Sequence, residues 1–186
     1  MTRQELYDNL EICPVIAAVH DNLFDEALRS PSTVIFMLGG SLLTLQDRIK
    51  AAKEVGKTVF VHIDLAEGIA KDRAGVEYIA RCGAHGIIST KANLIKIAKE
   101  LGLLTVQRFF VYDTQGVESI AGMLNVSCSD VVEIMPGVIG KIIERFSSVR
   151  VPLIAGGLIE TKAEVTAALN LGAYAVSTGK KELWYL

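Results

Sequence analysis

Two short stretches rich in glycine and hydroxyl groups, Gly156-Gly157 and Ser177-Thr178-Gly179, each close an apolar run. Glycine lets backbone N–H groups approach an anion closely, and Ser and Thr add hydroxyl donors. Together these turns could hold a phosphate. A second set of residues could carry charge chemistry: His62, Asp64, Glu67, Lys91, Arg108 and Glu133. In a binding protein such groups read hydroxyls or balance charge. In an enzyme, a phosphosugar isomerase, aldolase or lyase, Asp64 or Glu133 would serve as base and Lys91 as electrophile or Schiff-base lysine. There is no Gly-x-Gly-x-x-Gly, Walker loop, His-Glu-x-x-His or cysteine cluster, so neither a cofactor nor a metal is expected.

The elements that must position these residues follow from hydrophobic periodicity. Residues 2–11 read as a short amphipathic helix leading to Pro14. Eight apolar runs then alternate with helical patterns: VIAAV ending at His20-Asp21, TVIFML, TVFVHID, GIIS, LTVQRFFVY, VVEIM, the run ending at Ala155, and Ala175 to Ser177. Asn22 with Asp25, Thr44 with Asp47, and Thr161 with Glu164 have the spacing of helix N-terminal caps. Strand–helix alternation of this kind is the pattern of parallel βαβ units. So many units in 186 residues favour an α/β fold of the compact (β/α)8 TIM-like barrel type, with an open doubly wound sheet as the alternative. The expected organisation is a single domain over 1–186, with the barrel spanning 14–184. Cys82 to Lys91, CGAHGIISTK, echoes Leu171 to Lys180, LGAYAVSTGK. By strand count these lie half a ring apart, as a barrel of two similar halves would place them.

Strand parity sorts side chains. Val59, Val61 and Ile63 should face helices, leaving Phe60, His62 and Asp64 pointing inward. On strand six, Val131, Glu133 and Met135 should face in. On strand five, Gln107 and Arg108 cannot both do so. Buried charge is costly unless paired, so Arg108 and Lys91 are the natural counter-charges. Asp64, Glu67, Lys91, Asp113 and the two glycine turns all follow strands. In a barrel they gather at the C-terminal mouth, where ligands bind. His62 and Glu133 lie deeper, as a supporting polar core.

Composition narrows the class further. The chain is 51% apolar, with mean hydropathy +0.38 and net charge −2. That fits a cytoplasmic protein and lacks the overall basic excess of most nucleic-acid binders. The longest uncharged stretch, 30–46, contains Pro31 and two glycines, so no membrane partner is expected. MTRQELYDNLE has no apolar core for a secretion signal. The three cysteines, Cys13, Cys82 and Cys128, are expected to be reduced core thiols.

VFVHIDLAEGI, GIISTK, TVQRFF, VEIMPG, IAGGLI and AVSTGKKELW resemble, in order, the motifs of the glycerol-uptake-operon antiterminator family. The resemblance runs from about Pro14 to Trp184. It implies a TIM-barrel regulator that responds to glycerol 3-phosphate and acts on leader mRNA, with no catalytic residues. Carried over by position, the phosphate lies against Gly156, Gly157, Ser177, Thr178 and Gly179, while Asp64, Lys91 and Arg108 read hydroxyls or balance charge. Two residues depart from the pattern: Gly179 where a serine is expected, and Gly140 where a proline is. RNA contact would call on basic groups such as Lys50, Lys53 and Lys57, Lys96 and Lys99, or Lys141, Arg145 and Arg150. Self-association is left open.

Overall fold

A computed structural model describes the backbone of residues 1–186 and all side chains except those of Asp21, Asn125 and Val126, so the expectation for Asp21 at the end of strand one lies outside the described side chains. Eight strands follow one another around a ring: β1 (Val15–Val19), β2 (Val34–Met37), β3 (Thr58–His62), β4 (Gly86–Ser89), β5 (Leu104–Phe110), β6 (Val131–Met135), β7 (Leu153–Gly156) and β8 (Ala175–Thr178). Each pairs in parallel with the next, and Ile16 of β1 opposite Ser177 of β8 closes the barrel. That last ladder removes the open-sheet alternative.

Eight α-helices accompany them: α1 (Arg3–Ile12), α2 (Phe24–Arg29), α3 (Leu45–Glu54), α4 (Arg73–Arg81), α5 (Ala92–Glu100), α6 (Thr114–Val126), α7 (Gly140–Phe146) and α8 (Lys162–Asn170). Helices α2 to α8 follow β1 to β7, and β8 is followed by a 3-10 segment, Lys181–Tyr185. The capping box expected at Thr161 and Glu164 forms in both directions, Glu164 N donating to Thr161 Oγ1 at 3.2 Å and Thr161 N to Glu164 Oε2 at 2.9 Å. The other two expected caps do not. Thr44 caps α3 without a side-chain bond, and a 3-10 turn, Asp21–Leu23, precedes α2, whose own N-cap is Leu23.

The apolar residues divide into two layers by strand parity. Val59, Val61, Ile63, Val132 and Ile134 belong to the shell between strands and helices. Ile16, Phe36, Phe60, Val106, Val131 and Ile154 fill the barrel itself. The helix ahead of β1 completes that inner core: Leu6 and Leu10 of α1 are buried against it and close the N-terminal end. Gly86 is required here, because a Cβ would stand 2.4 Å from both the Leu104 carbonyl and the Phe60 ring. Of the three cysteines, Cys13 and Cys82 are buried, but Cys128 is exposed, in the connection between α6 and β6 rather than in the core.

Candidate functional site

The barrel interior changes from apolar to polar toward its C-terminal end. Arg108 and Glu133 stand opposite each other on β5 and β6. Arg108 Nε donates to Glu133 Oε2 at 2.5 Å, with Arg108 5% and Glu133 0% exposed. The parity ambiguity on β5 is thereby settled: Arg108 faces in, and Gln107 faces out to accept a bond from Ser127 Oγ at 2.7 Å. Ser177 on β8 reaches across to donate to Glu133 Oε1 at 2.5 Å. Gly156 lies between these partners. A Cβ there would be 2.4 Å from Glu133 Oε1 and 2.6 Å from Ser177 Oγ, so this glycine keeps the path of an internal hydrogen bond open.

Above this network is a cavity of about 360 Å³, lined among others by Arg108, Met135, Gly157, Leu158, Gly179 and Lys180. Arg108 bonds to Glu133 through Nε; among the described residues its two terminal nitrogens take no partner, and the side chain forms part of the cavity wall. A fixed guanidinium with spare donors is suited to oxyanions. The loop from β7 enters the cavity in an uncommon conformation. Gly157 has φ +77° and Leu158 φ +61°, and Leu158 is 69% exposed. A non-glycine residue held in the left-handed region costs on the order of 1 kcal/mol and tends to persist where geometry matters for a site. Gly137 N, in the neighbouring loop after β6, pins this turn by donating to the carbonyls of Gly156 at 2.6 Å and Gly157 at 3.1 Å.

The hydroxyls expected to hold phosphate are otherwise engaged. Ser177 serves Glu133, and Thr178 Oγ1 donates to the Ile159 carbonyl at 2.7 Å. The two turns line the cavity with Gly157 to Glu160 and Ser177 to Lys180, and Lys180 Nζ stands 3.6 Å from Glu160. A Cβ on Gly179 would meet only the Ala18 carbonyl, at 3.5 Å, so the expected serine would fit there.

The remaining candidates lie across the mouth. Asp64 accepts from Ser89 Oγ (3.0 and 3.1 Å), Thr90 N (2.7 Å) and Thr90 Oγ1 (3.1 Å), tying the turn after β3 to the end of β4. His62 is 3% exposed, and its Nδ1, 4.0 Å from Asp64 Oδ2, has no hydrogen-bond partner among the described residues. Burial, reinforced by the positive charge of Arg108 and opposed by Asp64, pushes its pKa down to about 4, so at neutral pH the ring is uncharged. Lys91 is exposed at the start of α5. Lys71, which sequence reasoning did not select, is half-buried, donates to the Ala66 carbonyl, and is held below the usual lysine range by burial. Glu67 is exposed in the following loop, where its backbone pairs with that of the loop after β2. Among the described residues no group of three His, Cys, Asp or Glu side chains is placed to hold a metal.

The internal echo proves to be offset. Aligned from Gly83 and Gly172, Ser89 matches Thr178 and Lys91 matches Lys180. The equivalence is physical: Ser89 Oγ accepts from Lys91 N at 3.0 Å, and Thr178 Oγ1 accepts from Lys180 N at 3.1 Å. That alignment, visible in the sequence, was the signal that could have found Lys180.

The basic helix groups are largely engaged. Lys57 Nζ donates to the carbonyls of Ser30 and Ser32, Lys53 to that of Gly83, Lys99 pairs with Asp130 and Arg145 with Glu118. A groove of about 710 Å³ between α6 and α7 carries Lys141 and Arg145 beside Asp113 and Glu144, a mixed lining with no net positive character.

Fold and mouth together define a small parallel (β/α)8 barrel with a charge-assisted polar layer beneath a cavity of about 360 Å³. The model of the glycerol-3-phosphate responsive antiterminator family matches residues 15–184, and the chain belongs to that family. A glycerol uptake operon antiterminator regulatory protein from Listeria monocytogenes is 32% identical with a TM-score of 0.85, over 91% of this chain and 94% of that one. A glycerol uptake operon antiterminator-related protein from Thermotoga maritima is 32% identical with a TM-score of 0.83, over 92% and 98%. The uncharacterized protein YgcP of Escherichia coli K12 is 35% identical over 176 residues, 93% of this chain and 92% of that protein. No described helix is long and apolar enough to cross a membrane.

Proposed function

We propose that this protein is a cytoplasmic antitermination regulator that binds glycerol 3-phosphate at the barrel mouth and, in response, acts on leader mRNA. One observation carries the ligand half: Arg108, locked through Nε by Glu133, lines the β7–β8 cavity with both terminal nitrogens uncommitted. The phosphate lies beside the Gly157 and Gly179 backbone and Lys180, and Arg108 answers its charge from below. This division of labour matches the committed hydroxyls of Ser177 and Thr178. Asp64, with its four hydrogen bonds from Ser89 and Thr90, shapes the far wall. Lys91 and Lys71 add positive charge near Asp64, and Glu67 and His62 frame the remainder. The RNA half rests on family membership.

Calorimetry with glycerol 3-phosphate tests the site. We expect saturable binding, weakened about tenfold or more by Gly157→Asp, which places a carboxylate beside the anion and a side chain where φ is +77°. Heatless titration, with Gly157→Asp indistinguishable in a ligand-dependent thermal shift, would remove the phosphate-site reading. Filter binding of leader RNA with and without ligand, repeated across salt concentrations, tests the output. A response to ligand with a negative salt slope is expected.

A further inference from the structure

The cavity at β7 and β8 is not the whole of the mouth. A second hollow of about 480 Å³ is lined by His20, Asn22, Gly39, Gly40, Leu65 and Glu67, in the loops after β1, β2 and β3. The two share one wall residue, the half-buried Leu38 at the end of β2. They therefore adjoin, and together exceed what glycerol 3-phosphate needs, since the first hollow alone reaches the lower range of small-ligand sites.

The chemistry of the two hollows differs. The first has Arg108 and Lys180, with the Glu160 carboxylate 3.6 Å from Lys180 Nζ, and so carries a net positive lining. The second has one formally charged side chain, Glu67, flanked by the His20 imidazole and the Asn22 amide, and no Phe, Tyr or Trp in its lining. A carboxylate, an imidazole and an amide offer acceptors and donors for hydroxyl groups. A quaternary ammonium would call instead for aromatic faces. The position of Glu67 is fixed by its backbone: Glu67 N donates to the Gly40 carbonyl at 2.9 Å, and Leu42 N donates to the Glu67 carbonyl at 3.0 Å. The hollow is kept open at Gly39. A Cβ there would meet nothing nearer than His20 Nδ1 at 3.9 Å, and the residue is not in the left-handed region. Fold sterics do not demand glycine at this position.

Resting on the phosphate site proposed above, we infer that the mouth accepts phosphate esters of polyols longer than glycerol, the hydroxylated chain passing Leu38 and ending against Glu67, His20 and Asn22. The ligand class thus extends from glycerol 3-phosphate to alditol phosphates. In this arrangement the first hollow supplies charge and the second supplies selectivity for chain length.

The test compares glycerol 3-phosphate with sorbitol 6-phosphate by calorimetry on the intact protein and on Gly39→Val and Glu67→Gln. A Cβ at position 39 meets nothing nearer than 3.9 Å and Glu67→Gln keeps the side-chain shape, and thermal melts verify folding. We expect sorbitol 6-phosphate to bind the unaltered protein about tenfold or more tightly than glycerol 3-phosphate, and the ratio to fall toward one in Gly39→Val, with a smaller fall in Glu67→Gln. Equal or weaker binding of the longer ester to the unaltered protein, or a ratio that Gly39→Val leaves intact, overturns the inference while the phosphate site stands. Failure of both esters to bind overturns the phosphate site and this inference with it.

Discussion

The two ends of the barrel each bury an ion-paired carboxylate, and they use it differently. At the base, Asp130 is 1% exposed and accepts from Arg3 Nε at 2.8 Å, Lys99 Nζ at 2.6 Å, Thr105 N at 3.0 Å and Thr105 Oγ1 at 2.9 Å. Every donor is part of the protein, and the cluster ties α1, α5 and β5 to the residue just before β6. At the mouth, Glu133 has Arg108 and Ser177, and Arg108 still has hydrogen-bonding capacity directed at a cavity. A saturated network fixes structure. A network with donors left over at a cavity wall keeps hydrogen-bonding capacity, which is what the proposed ligand site calls on. The unpartnered Nδ1 of His62 belongs to the same end of the molecule, so unmet polar capacity collects where the apolar inner core stops.

That contrast can be broken most forcefully at the base. Asp130→Ala strips the partner from two cations and leaves Thr105 N unpaired, and should cost about 3–5 kcal/mol in urea unfolding. Glycerol 3-phosphate affinity in the folded fraction should hold. A loss of affinity at unchanged stability would reverse the roles assigned to the two ends. At the mouth, Arg108→Met with Glu133→Gln removes the pair together, a change buried pairs often tolerate at under about 1–2 kcal/mol. Phosphate binding should nevertheless weaken by about a hundredfold, the loss of a charge-assisted contact of about 2–3 kcal/mol, as read by calorimetry.

His62 predicts a pH dependence. Its folded pKa, about 4, lies below its ordinary value of 6.5, so the unfolded chain binds the extra proton first. Its contribution is fully present above pH 6.5 and is lost as pH falls toward 4, by up to about 3 kcal/mol. Urea titrations of the unaltered protein and His62→Phe should diverge over that interval. Parallel curves would mean the ring is not held neutral. The smallest effect is expected at Thr178→Val. Losing the bond to the Ile159 carbonyl should cost about 1 kcal/mol in a thermal melt, with little change in phosphate affinity, because the hydroxyl already faces the protein. A large loss of affinity would restore Thr178 as a direct ligand contact.

Much of this was legible in the residues. Alternating apolar runs marked all eight strands, and parity assigned Phe60, His62 and Glu133 to the interior because a strand alternates faces whatever it packs against. The Thr161–Glu164 cap was readable because it is local. What failed to show were partnerships made across the ring. Nothing near Ser177 in the chain indicates that its hydroxyl is spent on Glu133, and Gly156 read as a phosphate turn when its missing side chain clears that bond. Asp130 passed unnoticed because Arg3, Lys99 and Thr105 reach it from distant segments.

By itself the sequence determined the order of strands and helices, the parallel α/β class, the family and the strand ends at which polar residues gather, because periodicity and short motifs are properties of neighbouring residues; closure of the barrel was decided by the ladder between β1 and β8. Only the tertiary structure decided which polar atoms are satisfied and which remain open. That depends on the register of β6, β7 and β8, which brings the Ser177 hydroxyl 2.5 Å from the Glu133 carboxylate and leaves Arg108 in the cavity wall. Hydrogen-bond valency is settled by distance in space, and the chain encodes such distances only through the whole fold.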